Sequence, residues 1–168
     1  CTGCTVTPTF QGTNTAALPL PPGFEVAFNQ RQDHSYRSPI SGQQRPGDNL
    51  EELLLQSIRR SQREVLVAVQ ELSLPQVAQA LAERHRAGVQ VRVVVENSYR
   101  QPWGNQHPAG LSPHQRQRLA QLKALADRDR NGELSTTELL QGDAMAMLEG
   151  AGVPTIDDTA DGLSLIHI

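Results

Sequence analysis

Between positions 127 and 138 the chain sets oxygen-bearing side chains at intervals: Asp127, Asp129, Asn131, Ser135 and Glu138, with Gly132 among them. Hard oxygen donors in this pattern suit a hard divalent cation, and calcium takes six to eight of them from a turn of twelve residues. In that frame Asp127, Asp129 and Asn131 stand at positions 1, 3 and 5 and offer side-chain oxygens. Gly132 stands at position 6, where a sharp turn disfavours a Cβ. Glu133 at position 7 would give its backbone carbonyl, Ser135 at position 9 would act directly or through a water, and Glu138 at position 12 would bind with both oxygens. Leu134, the apolar residue of the turn, would tether it to the rest of the protein.

A plainer arrangement, an acidic turn followed by a capped helix, uses some of the same residues, since Ser135, Thr136, Thr137 and Glu138 form a capping box by themselves. That arrangement does not need Gly132, Leu134 and both aspartates in register. The EF-hand pattern D-x-[DN]-x-[DN]-G-x5-E needs most of them, and helices on either side as well. Ser112 followed by Pro113 marks a helix start, and Leu119, Leu122 and Ala126 give that helix an apolar face leading into the turn. After the turn, Leu139, Leu140, Ala144, Met147 and Leu148 continue at helical spacing. Residues 112–142 are therefore expected to form an EF-hand insertion. A single loop with three side-chain carboxylates, offset by Arg128 and Arg130, predicts a dissociation constant of about 10⁻⁵ to 10⁻³ M, and a stabilising clip more than a fast sensor.

The insertion interrupts an alternation of strands and helices. Phe24 to Phe28 alternates apolar and polar residues and predicts a strand. Asp48, with Glu51 three residues on, predicts a capped helix whose apolar stripe is Leu50, Leu53, Leu54 and Ile58. Residues 64–70 predict a central strand, and Ser73 to Pro75 opens a helix that Gly88 stops, with Val77, Ala78, Leu81 and Ala82 facing inward. The valine run at 89–95 predicts a strand covered on both faces. A helix at 145–151 and a short strand at 153–156 follow. This order predicts an α/β fold: a mixed or parallel sheet, joined by right-handed crossovers and flanked by helices on both faces.

Composition narrows the functions available. A formal net charge of −3 gives no basic footprint for general nucleic-acid binding, and no apolar run reaches membrane-spanning length. There is no Gly-rich phosphate loop for a doubly wound nucleotide binder and no nucleophile elbow for a serine hydrolase. Glu71 and Glu96 fall at the ends of expected strands, the edge where α/β sheets place ligands. Their ordinary role is that of polar strand-end residues. Both cysteines, Cys1 and Cys4, head a Thr/Pro/Gly-rich linker at 1–23. Cys1, Thr2, Gly3 and Cys4 resemble the end of a bacterial lipoprotein signal, which implies a membrane tether through an N-terminal cysteine and a place in the cell envelope or periplasm. A local disulfide or two free thiols is the alternative.

Three further stretches carry a family likeness: Ile58 to Gln62; residues 64–73 (EVLVAVQELS); and residues 77–96, which run through Arg86, Ala87, Gly88 and the valine strand to Glu96. With residues 148–158 (LEGAGVPTIDD), they resemble the phospholipase D superfamily over 24–162. The resemblance implies a phospholipase D-like α/β sandwich, here incomplete, and an activity on the phosphodiester bonds of phospholipid or nucleic acid. In that family paired H-x-K-x4-D motifs, from two repeats or a homodimer, supply a histidine nucleophile and a histidine acid, with lysines against the phosphate oxygens. No metal is needed for that step, so calcium would be structural or regulatory. None of His34, His85, His107, His114 and His167 is followed by lysine two residues on, so no catalytic residue carries over. Residues 163–168 (LSLIHI) match the translation of a sequencing-library adapter end and are expected to be non-native, with the parent protein continuing past Gly162. On this reading the chain is part of a phosphodiesterase domain and is itself inactive. The rival reading is a non-catalytic calcium-binding envelope module on an α/β scaffold.

Overall fold

The structure, a computed structural model, describes residues 19–30, 33–39 and 42–161. Cys1, Cys4 and the 163–168 tail, with the expectations attached to them, lie outside the described residues. The chain divides at Asp48 into two units.

In the first unit, β1 (Ser35–Arg37) and β2 (Gln44–Pro46) pair antiparallel, with Tyr36 opposite Arg45. The strand expected at Phe24–Phe28 does not form, and Phe24, Val26 and Phe28 are exposed. Alternation favours a strand only where a neighbour completes its hydrogen bonds. Here Asp48 engages both backbone groups of Phe28: its carboxylate accepts from the Phe28 N–H at 2.9 Å, and its own N–H donates to the Phe28 carbonyl at 2.7 Å. The same carboxylate meets His34 Nδ1 at 2.7 Å. Asp48 is therefore not the helix cap the sequence suggested. The cap is Asn49, whose side-chain oxygen accepts from the Glu52 N–H at 3.2 Å.

The second unit begins with α1 (Leu50–Arg60), followed by β3 (Glu64–Val69), α2 (Pro75–Arg86) and β4 (Gln90–Val95). Two single 3-10 turns, Asn97–Tyr99 and Trp103–Asn105, lead to α3 (Pro113–Ala126), α4 (Thr136–Gly142) and α5 (Ala144–Gly150). The last strand is β5 (Thr155–Asp157), with a 3-10 turn at Asp158–Asp161. The three strands lie in the order β3-β4-β5 and both pairings are parallel, with Val67 beside Val93 and Val93 beside Thr155. Among the described residues this is a mixed α/β arrangement of five helices and a small parallel sheet.

Alternation along β4 places the core. Val91, Val93 and Val95 point to one side and are buried, while Gln90 and Arg92 point to the other and are exposed. The buried valines join Leu55 and Ile58 of α1, Val77, Ala78 and Leu81 of α2, and Met145 and Leu148 of α5, with Val65, Val67 and Val69 of β3 packed alongside. Two expectations change here. The middle strand is β4, not β3, and among the described residues only one face of the sheet is covered. On the other face Leu66 and Ile156 are 64% and 58% exposed. Valine content alone cannot report sidedness, because Val94 on the open face and Val93 on the closed one are the same residue in sequence.

Candidate metal centre

Helix α3 delivers the acidic turn. A capping box opens it: the Ser112 hydroxyl accepts from the Gln115 N–H at 3.3 Å, and the Gln115 side chain accepts from the Ser112 N–H at 2.9 Å. Leu119 and Ala126 are buried with Trp103, and Leu111, Leu122, Leu134 and Leu139 pack against them. This small cluster anchors the turn through Leu134. It also brings α3 and α4 so close that a Cβ on Gly142 would stand 2.6 Å from the Ala126 Cβ.

The turn then winds around its own carboxylates. Asp127 accepts from the Asn131 N–H at 3.1 Å and from the Gly132 N–H at 2.9 Å. Asp129 accepts from the Asn131 N–H at 3.2 Å and from the Asn131 side-chain amide at 2.9 Å. Gly132 has φ +84°, a left-handed conformation that glycine adopts without a Cβ penalty. Arg130 also has positive φ, at 58°, which nothing in its side chain favours.

Glu138 closes the turn from the start of α4. One of its oxygens accepts from the Arg128 N–H at 2.8 Å, and the other from the Ser135 N–H at 3.0 Å and the Ser135 hydroxyl at 2.7 Å. The Ser135 hydroxyl, then the backbone N–H groups of Ser135 and Arg128, pull the Glu138 pKa down to about 2. Only 9% exposed, Glu138 is held as an anion.

Of the six residues singled out in the sequence, Asp127, Asp129 and Glu138 come together, each offering a carboxylate oxygen within 4.8 Å of the others. Oxygens bound to one calcium ion at its usual bond length lie at most about 5 Å apart, so the three fit a shared coordination sphere. Asn131 is in the same turn, but its side-chain oxygen accepts from the Glu133 N–H at 2.7 Å. Ser135 is engaged with Glu138 as the cap of α4. Glu133 is exposed.

Two residues that matter to this region were not legible as site residues. Asp143 is 1% exposed and sits between α4 and α5. One of its oxygens accepts from the Met145 and Ala146 N–H groups, capping α5, and the other accepts from the Gly104 N–H at 2.9 Å. Burial raises its pKa, against the pull of those donors. Arg118, on α3, forms an ion pair with Glu71 beyond β3, and its guanidinium lies 5.0 Å from the centroid of the Tyr99 ring. An Asp directly before a helical run is a cap signal that could have found Asp143. No local signal points to Arg118.

The carboxyl edge of the sheet carries Glu71 and Glu96. Glu96 is buried and accepts from the Ser98 N–H and hydroxyl at 3.0 and 3.1 Å, so it caps the first 3-10 turn. Among the histidines, His107 and His114 are exposed, and His34 is paired with Asp48. No helix among the described residues is long and apolar enough to cross a membrane. No family model matches this chain, and neither a curated protein nor a solved structure does.

Proposed function

We propose that residues 127–138 bind one calcium ion as an EF-hand loop set into the α/β scaffold. The observation that carries this is the convergence of Asp127, Asp129 and Glu138 from opposite ends of a twelve-residue turn to within 4.8 Å. Asn131, the Glu133 carbonyl and Ser135 would complete the oxygen set. Bound there, the ion supplies positive charge to three carboxylates that otherwise repel one another, and so holds α3 against α4. Calorimetry on the purified chain should give one site with a dissociation constant of about 10⁻⁵ to 10⁻³ M. Glu138→Gln, which keeps the shape and removes the charge, should weaken it at least about tenfold, the loss of roughly 1.4 kcal/mol. No heat and no change in melting temperature at millimolar calcium would refute the assignment.

For the scaffold, the resemblance of residues 24–162 to the phospholipase D superfamily supports a phosphodiesterase domain acting on phospholipid or nucleic acid, with calcium structural or regulatory. The parallel β3-β4-β5 sheet is compatible with that reading. Residues 1–168 contain no H-x-K-x4-D, so the chemistry would need groups from sequence other than these residues. The competing reading, a non-catalytic calcium-binding envelope module, rests on the same loop without that motif. The native gene read past Gly162 separates them. An H-x-K-x4-D motif supports the enzyme, whereas a native reading frame without one supports the module.

A further inference from the structure

The acidic turn and the sheet are joined by α3, and the way α3 is held at Arg118 has a thermodynamic consequence. Arg118 lies nine residues before Asp127, about 13 Å along the helix. Its guanidinium is fixed twice, by the ion pair with Glu71 and by the face of Tyr99. Both charged side chains are largely withdrawn from solvent, at 22% and 27% exposure, so this pair is screened less than one on the open surface. Glu71 follows β3, and Tyr99 lies in the turn after β4, so Arg118 is seated at the carboxyl edge of the parallel sheet. The neighbouring Leu119 is buried with Trp103, which leaves α3 little freedom to slide while Arg118 is seated.

We propose that Arg118 is a latch through which cation occupancy of the 127–138 turn is coupled to the carboxyl edge of the sheet at Glu71 and Tyr99. The inference rests on the calcium reading above and adds a regulated place to it. A cation drawn between Asp127, Asp129 and Glu138 fixes the end of α3 against α4. The latch fixes the same helix near its middle, at Arg118. Each event restricts a helix that the other also has to restrict, so whichever comes second costs less entropy, and the coupling is positive and reciprocal.

Direction separates this from plain electrostatics. Removing the Arg118 charge takes a positive group away from a cation site, which by charge alone leaves calcium affinity unchanged or raises it. A broken latch lowers it. The test is calcium calorimetry on the full chain and on Arg118→Gln, Glu71→Gln and the double variant, with Arg116→Gln on the exposed side of the same helix as the charge control. Arg118→Gln and Glu71→Gln should each weaken calcium binding by about threefold to tenfold, and the double variant no further than either single one. Arg116→Gln should bind as tightly as the parent or more so. Hydrogen exchange on the unmodified protein gives a reading that no variant can spoil. Calcium should slow exchange in the peptides spanning Glu71 and Tyr99, as well as in the turn itself. Calcium binding without protection at Glu71 and Tyr99, or an Arg118→Gln variant that folds and binds calcium as tightly as the parent, overturns the latch and leaves the metal site standing. A parent that binds no calcium at millimolar concentration removes both.

Discussion

The sheet unit and the α3–α4 hairpin are neighbours in one unit of the chain, yet they are held together by different means. The sheet side draws its core from α1, α2, α5 and the strands β3 and β4, with Val91, Val93, Val95, Leu81 and Leu148 almost fully buried. The hairpin side has a smaller core, Trp103, Leu119 and Ala126 with four partly buried leucines against them, and its turn is ordered by carboxylates that accept backbone N–H groups. Apolar burial is non-directional and tolerates exchange of similar side chains. Carboxylate-organised turns depend on particular atoms, so they can respond to a cation or to pH as the valine core cannot.

The contrast can be broken hardest from the core. Leu148→Ala removes a fully buried side chain and should cost about 2–5 kcal/mol in denaturant unfolding, whereas Leu66→Ser on the open face of the sheet should change stability by less than about 0.5 kcal/mol. Equal effects would mean that the open face is covered in solution. Next in size, Asp143→Ala strands the Gly104 N–H and the first N–H groups of α5, and should cost about 2–3 kcal/mol. Because α4 and α5 meet at this residue, the loss should fall on both regions. Asp143→Asn retains an acceptor and should lose less.

Gly142→Ala tests the hairpin alone. Its Cβ would meet Ala126 across the α3–α4 contact, and the expected cost is about 1–2 kcal/mol, with weaker calcium binding. Unchanged calcium affinity there would show that the helix spacing does not set the site.

The smallest effect expected is on the response to acid. The pKa of Glu138 is lower folded than unfolded, so its contribution is fully present above the ordinary glutamate value near 4.5 and is lost as pH falls toward about 2. Asp143 has the opposite sign. Its raised pKa favours the folded state below 3.8, and that contribution disappears as pH rises through the folded value. Hydrogen exchange followed between pH 5 and pH 2 should therefore show the turn loosening on acidification, and Glu138→Gln should flatten that response.

Some of this was written locally in the chain. A nearly continuous run of valines marked β4, though not which face it buries, and Gly132 among regularly spaced aspartates marked the turn, because in both cases the signal lies within a dozen residues. What was not legible depends on partners far away in sequence. Asp48 and Asn49 are equally good caps, and Phe28 and His34 decide between them by engaging Asp48. Phe24 to Phe28 has the pattern of a strand but, among the described residues, no strand beside it. The open face of the sheet and the Arg118–Glu71 pair likewise follow from how elements meet, which no window of sequence contains.

Trp103 is the only tryptophan in the chain, and it lies against Leu119 and Ala126 on the hairpin side. Optically, then, the molecule is lopsided: its indole emission belongs to the hairpin, and the valine and leucine core is dark. A thermal melt followed by that emission records the hairpin coming apart, while far-ultraviolet circular dichroism weighs every helix. Coincident curves would mean that the two regions melt as one cooperative body. An emission change that runs ahead of the dichroism would show the hairpin loosening while the sheet is still intact.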